Sequence, residues 1–551
     1  MKCESCNHEI QQDMKFCGNC GAKPPEKSES PAPASTTTHS ASAPHQKPAP
    51  NIVSVIKSIP PKKLVLFAAP VFALVLILVI VLAVSLLGGS NFDTSNQSIS
   101  IFTDGIDTIL SVNNQDRIVI DGNTHTMQVS MDGTRAALIT DYDFRNGGTL
   151  WFVQGTNVTR VAEDVHEFVL SDTGRGLAFF SDRVDGTYTL YTVDTSSPSR
   201  ATRVTDYALD VVISPDGRTI LYSVLSGRDR DIIAAYMSVN GRSSSQFGID
   251  LMPGAVSNGG RIVYYIDNSN ANRSSFHVRR GNNSIRLLPD IPWDFTVFLN
   301  NDYSEALFTA EGRSHISRNG GERTTVSRTA ITGIVTPNNA QVRAVFPGEL
   351  YIYGLNSFAN TVAITGDGLE YINSRFDTHS INGSTSHDHR ARISDNGRAL
   401  FFENRQGHLA RVNPSQENAD AAVLVRNINN FAISGDGSIA FAVNDGSELM
   451  YARGNRDAAR IADFISPIHI VTSPNSNRVF FIEDFRNGSG DLYMSNNGRS
   501  RERIASDVTN VWRTNSNIFY LNVDGDLYRS NGNDNFTRFD QDIVRQHVGR
   551  W

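Results

Sequence analysis

Residues 213–223 read ISPDGRTILYS: the end of an apolar strand, a Ser-Pro-Asp-Gly turn, and a second apolar strand. The same unit returns as VSMDGTRAALI (129–139), LSDTGRGLAFF (170–180), ISDNGRALFF (393–402) and ISGDGSIAFAV (433–443). Degenerate copies are VSNGGRIVYYI (256–266), LNNDYSEALFT (299–309), VTPNNAQVRAVF (335–346), VTSPNSNRVFFI (471–482) and RTNSNIFYLN (513–522). Aligned on their first turn residue, these units start at 130, 171, 214, 257, 300, 336, 394, 434, 473 and 514. The steps are 41, 43, 43, 43, 36, 58, 40, 39 and 41 residues. A period in this range is that of a four-stranded propeller blade. Gly and Asn tolerate the positive φ that a tight turn needs, and the β-branched and aromatic flanks suit sheets packed face to face.

The second half of each unit repeats too: GTLWFV from Gly148, SELMYARG from Ser447, GDLYMSN from Gly490 and GDLYRSN from Gly525. Together the two halves resemble the WD-like repeats of TolB-type propellers, with residues 213–223 and 481–496 the nearest matches. That resemblance covers most of residues 99–540. It implies an all-β chain of about ten four-stranded repeats, closed as one large ring or two tandem rings. The steps of 36 and 58 fall in the middle, where either a break between halves or one insertion would lie. Residues 99–121 supply extra strands that could close a ring against the C-terminal end.

Ahead of the repeats runs LVLFAAPVFALVLILVIVLAVSLL, residues 64–87, without a charge or an amide side chain. As a helix at ~1.5 Å per residue it would reach about 36 Å, enough for a hydrocarbon core of about 30 Å. Lys57, Lys62 and Lys63 precede it, and the first cation after it is Arg117, which places the N-terminus in the cytoplasm. The expectation is an uncleaved single-pass anchor at 63–88 in a cell membrane, with residues 89–551 extracytoplasmic. All four cysteines lie before the anchor, in MKCESCNHEIQQDMKFCGNCGAK. Cys3, Cys6, Cys17 and Cys20 form two Cys-x-x-Cys pairs, the spacing of tetrahedral zinc ligation. The pattern resembles short bacterial zinc-ribbon modules and implies one structural Zn2+ in a module spanning 1–23. Four protein ligands leave no open position for catalysis, and a reducing cytoplasm keeps the thiols free of disulfides. Residues 24–62, rich in Pro, Ala, Ser and Thr, read as a disordered tether.

Composition also changes at the anchor. The first 63 residues hold eight Lys and no Arg, whereas all 42 Arg and no Lys follow. Formal charge is +3 before residue 64 and −10 after it, which argues against nucleic acid as a partner. Arg, unlike Lys, makes bidentate and stacked contacts that suit a sheet surface. The exported part contains no Gly-x-Ser-x-Gly elbow and no stretch left over for an α/β hydrolase domain. Candidate ligands elsewhere are the cluster His379, His387, Asp388 and His389 and the acidic residues Asp141, Asp143, Asp182, Asp185, Glu483 and Asp484. The plainer readings are a polar loop and solvated hairpins. No catalytic residue emerges, so the reading is of a non-enzyme: an anchored binding or scaffold protein whose propeller engages an envelope polymer or protein, with the ribbon recruiting a cytoplasmic partner. The alternative is a propeller-based envelope enzyme acting on glycans or peptides.

Overall fold

The computed structural model describes residues 99–546, apart from short internal stretches at 113–115, 185, 227–231, 242, 271–272, 292–294, 338–341, 346–349, 354, 385–389, 474–475, 515–516 and 544. The zinc ribbon, the tether and the anchor expected at 1–88 therefore lie outside the described residues. Among the described residues no helix is long and apolar enough to cross a membrane.

The described chain is all-β. Its sheets are six of four strands, two of seven and one of six. Each seven-stranded sheet is two four-stranded antiparallel meanders sharing a long strand, Thr202–Ile213 in one and Ser500–Arg513 in the other. The six-stranded sheet is one meander extended by a hairpin. This makes eleven successive four-stranded units, the arrangement of propeller blades. The additional unit is the one that the sequence showed only as extra strands. Strand Ser100–Thr103 pairs with Arg545–Gln546, Phe102 opposite Gln546, so the first blade takes its initial strand from the far end of the chain. The long step of 58 is an insertion: the hairpin of strands Val342–Val345 and Leu350–Tyr353 adds to strand Val297–Leu299, in parallel, instead of separating two halves.

A buried serine hydroxyl explains the turn motif. In the 214–219 turn the Ser214 hydroxyl donates to Asp216 Oδ1 at 2.6 Å and accepts the Thr219 N–H at 2.9 Å, while the Ser214 N–H donates to the Thr219 carbonyl at 2.8 Å. Asp216 Oδ1 also receives the Arg218 N–H, and Gly217 adopts φ 76°. Ser130 with Asp132 and Ser434 with Asp436 repeat the whole bracket, and Ser394 does so with Asn396. In the 300 unit Asn300 supplies the acceptor for Glu305 N–H, and Tyr303 takes the glycine position at φ 60°. Turns also bind one another across blades: the Met131 N–H donates to the Asp172 carbonyl, Thr173 N–H to that of Pro215, and Asp395 N–H to that of Gly435.

The core lies between blades. Eleven apolar clusters separate consecutive blades, one of them joining the last blade to the first. Strand Arg478–Arg486 shows why its run RVFFIEDFR does not alternate with polar residues: Val479 and Phe481 face one neighbouring blade, Phe480 and Ile482 the other. At the closing interface Phe102 meets the rings of Phe519, Phe539 and Trp512 at 5.2, 6.0 and 6.2 Å. Arg117 there grips Asp540 through Nε at 2.5 Å and Nη2 at 3.1 Å. Blades that are not neighbours in sequence also meet: Tyr303 Oη donates to Asp172 Oδ2 at 3.1 Å, and Met131 packs against the apolar cluster that contains Tyr303, while the charge of Asp395 acts on Arg513.

Replacing Ser214 or Ser434 by Ala should lower stability by about 1–3 kcal/mol each, because a buried amide loses its acceptor and an aspartate one of its donors. Chemical denaturation of the two variants measures this; an unchanged midpoint would show that the bracket does not stabilise the turn.

Candidate functional site

Gln128 Nε2 donates to the Phe168 carbonyl at 3.2 Å, and its Oε1 accepts the Leu170 N–H at 2.8 Å. The first strands of successive blades therefore lie side by side and form the inner wall. On this wall stand Glu167 and Asp210, each four residues before its turn serine, Ser171 and Ser214. Asp210 Oδ2 accepts the Ser223 hydroxyl at 3.1 Å. Burial raises both carboxyls above the ordinary range, and the charge of Asp210 adds to the rise of Glu167. Glu167 still reaches water, so the protein around it disfavours its charge without sealing it off.

The larger feature is a groove of about 1070 Å³ at the serine-turn end of the blades spanning 124–249. Its floor is made by two turns in contact. A Cβ on Gly176 would come within 2.2 Å of the Gly217 carbonyl oxygen, and one on Gly217 within 2.3 Å of the Gly176 nitrogen. Only glycine permits this approach. The turn after strand Thr187–Asp194 is fastened over the floor by Thr195, whose hydroxyl donates to the Gly174 carbonyl at 2.7 Å.

Four arginines line the groove: Arg135, Arg175, Arg203 and Arg218. Arg135 lies over Gly174 and donates from Nη1 to the Thr173 carbonyl at 2.8 Å, while its Nε is buried without a hydrogen-bond partner among the described residues. Arg203 is paired with Asp206. Arg175 and Arg218 form no ion pair or side-chain hydrogen bond among the described residues. Of the two lining carboxylates, Asp216 is held inside its turn, and Asp194 caps the Ser196 N–H, which lowers its pKa together with the field of Arg218. The rest of the lining is mainly hydroxyl and amide, from side chains such as Thr192, Ser238 and Asn240. Guanidinium forks beside hydroxyl donors are suited to oxyanions, which they bind in bidentate fashion.

Other candidates from the sequence fall differently. Cys3, Cys6, Cys17 and Cys20 lie outside the described residues, as do Asp185, His387, Asp388 and His389. His379, on strand Thr378–Ser380, bonds through Nε2 to the Pro414 carbonyl at 3.0 Å and packs 5.3 Å from the Tyr371 ring. The acidic hairpin residues bond to neighbouring protein groups. Asp141 Oδ1 accepts the Asn123 N–H, Asp143 Oδ1 those of Arg145 and Asn146, Asp182 the Tyr191 hydroxyl, and Glu483 pairs with Arg501. Asp141, Asp182 and Asp484 share a left-handed backbone, φ 51–52°. No group of three or more His, Cys, Asp or Glu among the described residues could hold a metal ion.

No family profile matches the chain, and no curated protein matches it. Solved structures similar to it include one titled as the eukaryotic initiation factor, at 10% identity, covering 77% of this chain and 98% of that one with a TM-score of 0.38. TolB from Acinetobacter baumannii is 12% identical over 42% of this chain and 63% of its own, TM-score 0.27. The GH74 enzyme of Niastella koreensis is 12% identical over 80% and 85%, TM-score 0.26. At these values none of them carries an argument about function.

The raised carboxyls make stability fall as pH climbs. Between the ordinary carboxylate range, about pH 4, and their raised values the folded chain holds protons that the unfolded chain has released. Glu167→Gln should match wild type at about pH 4 and become the more stable of the two as pH approaches about 7. Urea midpoints of both proteins across that range test this; a constant difference would mean that Glu167 titrates normally.

Proposed function

We propose that this chain is a membrane-anchored extracytoplasmic binding or scaffold protein whose propeller engages an oxyanion-bearing envelope ligand in the arginine-lined groove. The observation that supports this reading is the groove, where four arginines face two aspartates and Arg175 and Arg218 form no ion pair among the described residues, although residues 64–551 as a whole carry a formal charge of −10. The anchor at 63–88 holds the propeller outside, and the ribbon of Cys3, Cys6, Cys17 and Cys20 carries one structural Zn2+ and recruits a cytoplasmic partner. A second reading, an envelope enzyme acting on glycans or peptides, is favoured by the pair Glu167 and Asp210. Two carboxyls with raised pKa on an inner wall are suited to acid–base work.

Titration of the full chain with inorganic phosphate, citrate and a polyglutamate peptide tests the groove. The multivalent anions should bind more tightly than phosphate, and Arg175→Gln with Arg218→Gln should weaken them about tenfold, with marked salt dependence. Affinities unmoved by the double variant would remove the groove as the ligand site. Metal analysis of the full chain, purified under reducing conditions, should give one zinc per chain, lost in Cys6→Ser; a metal-free wild type would overturn the ribbon.

A further inference from the structure

The opposite end of the blades has a different surface. There the hairpins joining second to third strands carry large apolar side chains at or beside their tips in five consecutive blades, beginning with the last and continuing through the closure. They are Val523 (56% exposed), Ile106 (75%), Phe144 (68%), Val184 (51%), and Ile232 with Ile233 (38% and 37%). These six are half of the twelve large apolar side chains exposed among the described residues. Hairpin tips ordinarily take Gly, Asn, Asp or Ser, so apolar residues at successive tips run against local turn chemistry. Consecutive exposed apolar groups of this kind mark a contact surface. The surface is continuous between at least two of the blades, since the Arg183 guanidinium lies 4.7 Å over the Phe144 ring.

Carboxylates outnumber the arginines, Arg145 and Arg183, beside the first four of these tips. Asp104 sits beside Ile106, Asp143 and Asp141 beside Phe144, Asp182 beside Val184, and Asp524 beside Val523. Two are fixed by their own turns. Asp104 Oδ1 accepts the N–H groups of Ile106 and Asp107, which lowers its pKa and keeps it charged. Asp143 is held by two backbone donors in the same way. An acidic, apolar surface repels an anionic bilayer and attracts cations that bring apolar groups with them.

We propose that this hairpin face is a docking surface for a cationic amphipathic segment of a partner protein. The tips receive the apolar side of the segment, and the aspartates receive its Lys or Arg side chains. The site is separate from the arginine groove at the other end of the blades and does not depend on it.

The test uses the full chain in neutral detergent and a synthetic amphipathic Lys/Leu peptide, followed by fluorescence anisotropy. Controls are a scrambled peptide of the same composition without an apolar face and a Glu/Leu counterpart. The Lys/Leu peptide should bind about tenfold or more tighter than either control. Phe144→Ser with Val184→Ser should weaken it about tenfold. Asp104→Asn with Asp143→Asn, which keeps the turn acceptors, should weaken it and flatten its salt dependence. Equal binding of the scrambled peptide, or no response to the apolar substitutions, overturns the proposal. So does co-sedimentation with phosphatidylglycerol vesicles that is lost in Phe144→Ser/Val184→Ser, which would make the face a lipid contact. Concentration-dependent self-association lost in the same variant would instead assign the face to a second copy of the chain.

Discussion

A side-chain hydroxyl that gives one hydrogen bond and takes another sets the geometry on which the blades depend. At Ser130, Ser214 and Ser434 it stands in for the backbone group that a six-residue turn cannot supply, and each of these serines is essentially shut off from water. A buried amide without a partner is costly, so the turn can close inside the structure only if such an acceptor is present. The same turn leaves its next amide free to bind the adjacent turn, as from Met131 to Asp172 and, after Ser394, from Asp395 to Gly435. Blade shape and blade order thus rest on one local motif. The two sharing strands, which run from the end of one blade into the start of the next, follow the same economy: Tyr207 and Asp507 turn the chain with φ 58° and 57° in mid-strand.

Much of this was legible in the sequence because the motif is local. The Ser-x-Asp-Gly turn and the Gly-x-Leu-Tyr strand each state their partners within a dozen residues, and Leu150, Leu449, Leu492 and Leu527 are all fully buried as that strand requires. Blade number was less legible, because the closing blade has its first strand some 440 residues from its second and so shows no serine turn of its own. The insertion was visible only as an irregular step. Glu167 and Asp210 had a signal that went unread: both stand four residues before a turn serine, a position that other repeats fill with Thr126, Asn430 or Asn510. The groove had none, since it exists only where two turns meet at Gly176 and Gly217.

The exclusive use of arginine after residue 63 has a physical account in part. Three blades repeat one cross-strand pair with the same spacing: Glu448 with Arg460, Asp491 with Arg503, and Asp526 with Arg538. Other guanidinium groups lie over rings, Arg279 over Phe247, Arg318 over Phe376, and Arg529 over Phe539, at 4.6–4.9 Å. A lysine ammonium cannot reproduce the planar fork or the stacked contact. Each exposed pair contributes little to stability. Their recurrence at one register instead fixes how outer strands lie on their neighbours.

The strand pairing of Ser100–Thr103 with Arg545–Gln546 also sets a timetable for folding. A sheet whose first strand is the last to be made cannot be completed while the chain is still being delivered. Until residues near 545 arrive, the first blade lacks its inner strand and the ring of Phe102 has no Phe519, Phe539 or Trp512 to pack against. The early blades can stack in order as they emerge, each on its neighbour, yet the array stays open with an unpaired strand edge at its beginning. Closure is therefore a single late event, and the interval before it is when this chain is most exposed to pairing with the wrong strand.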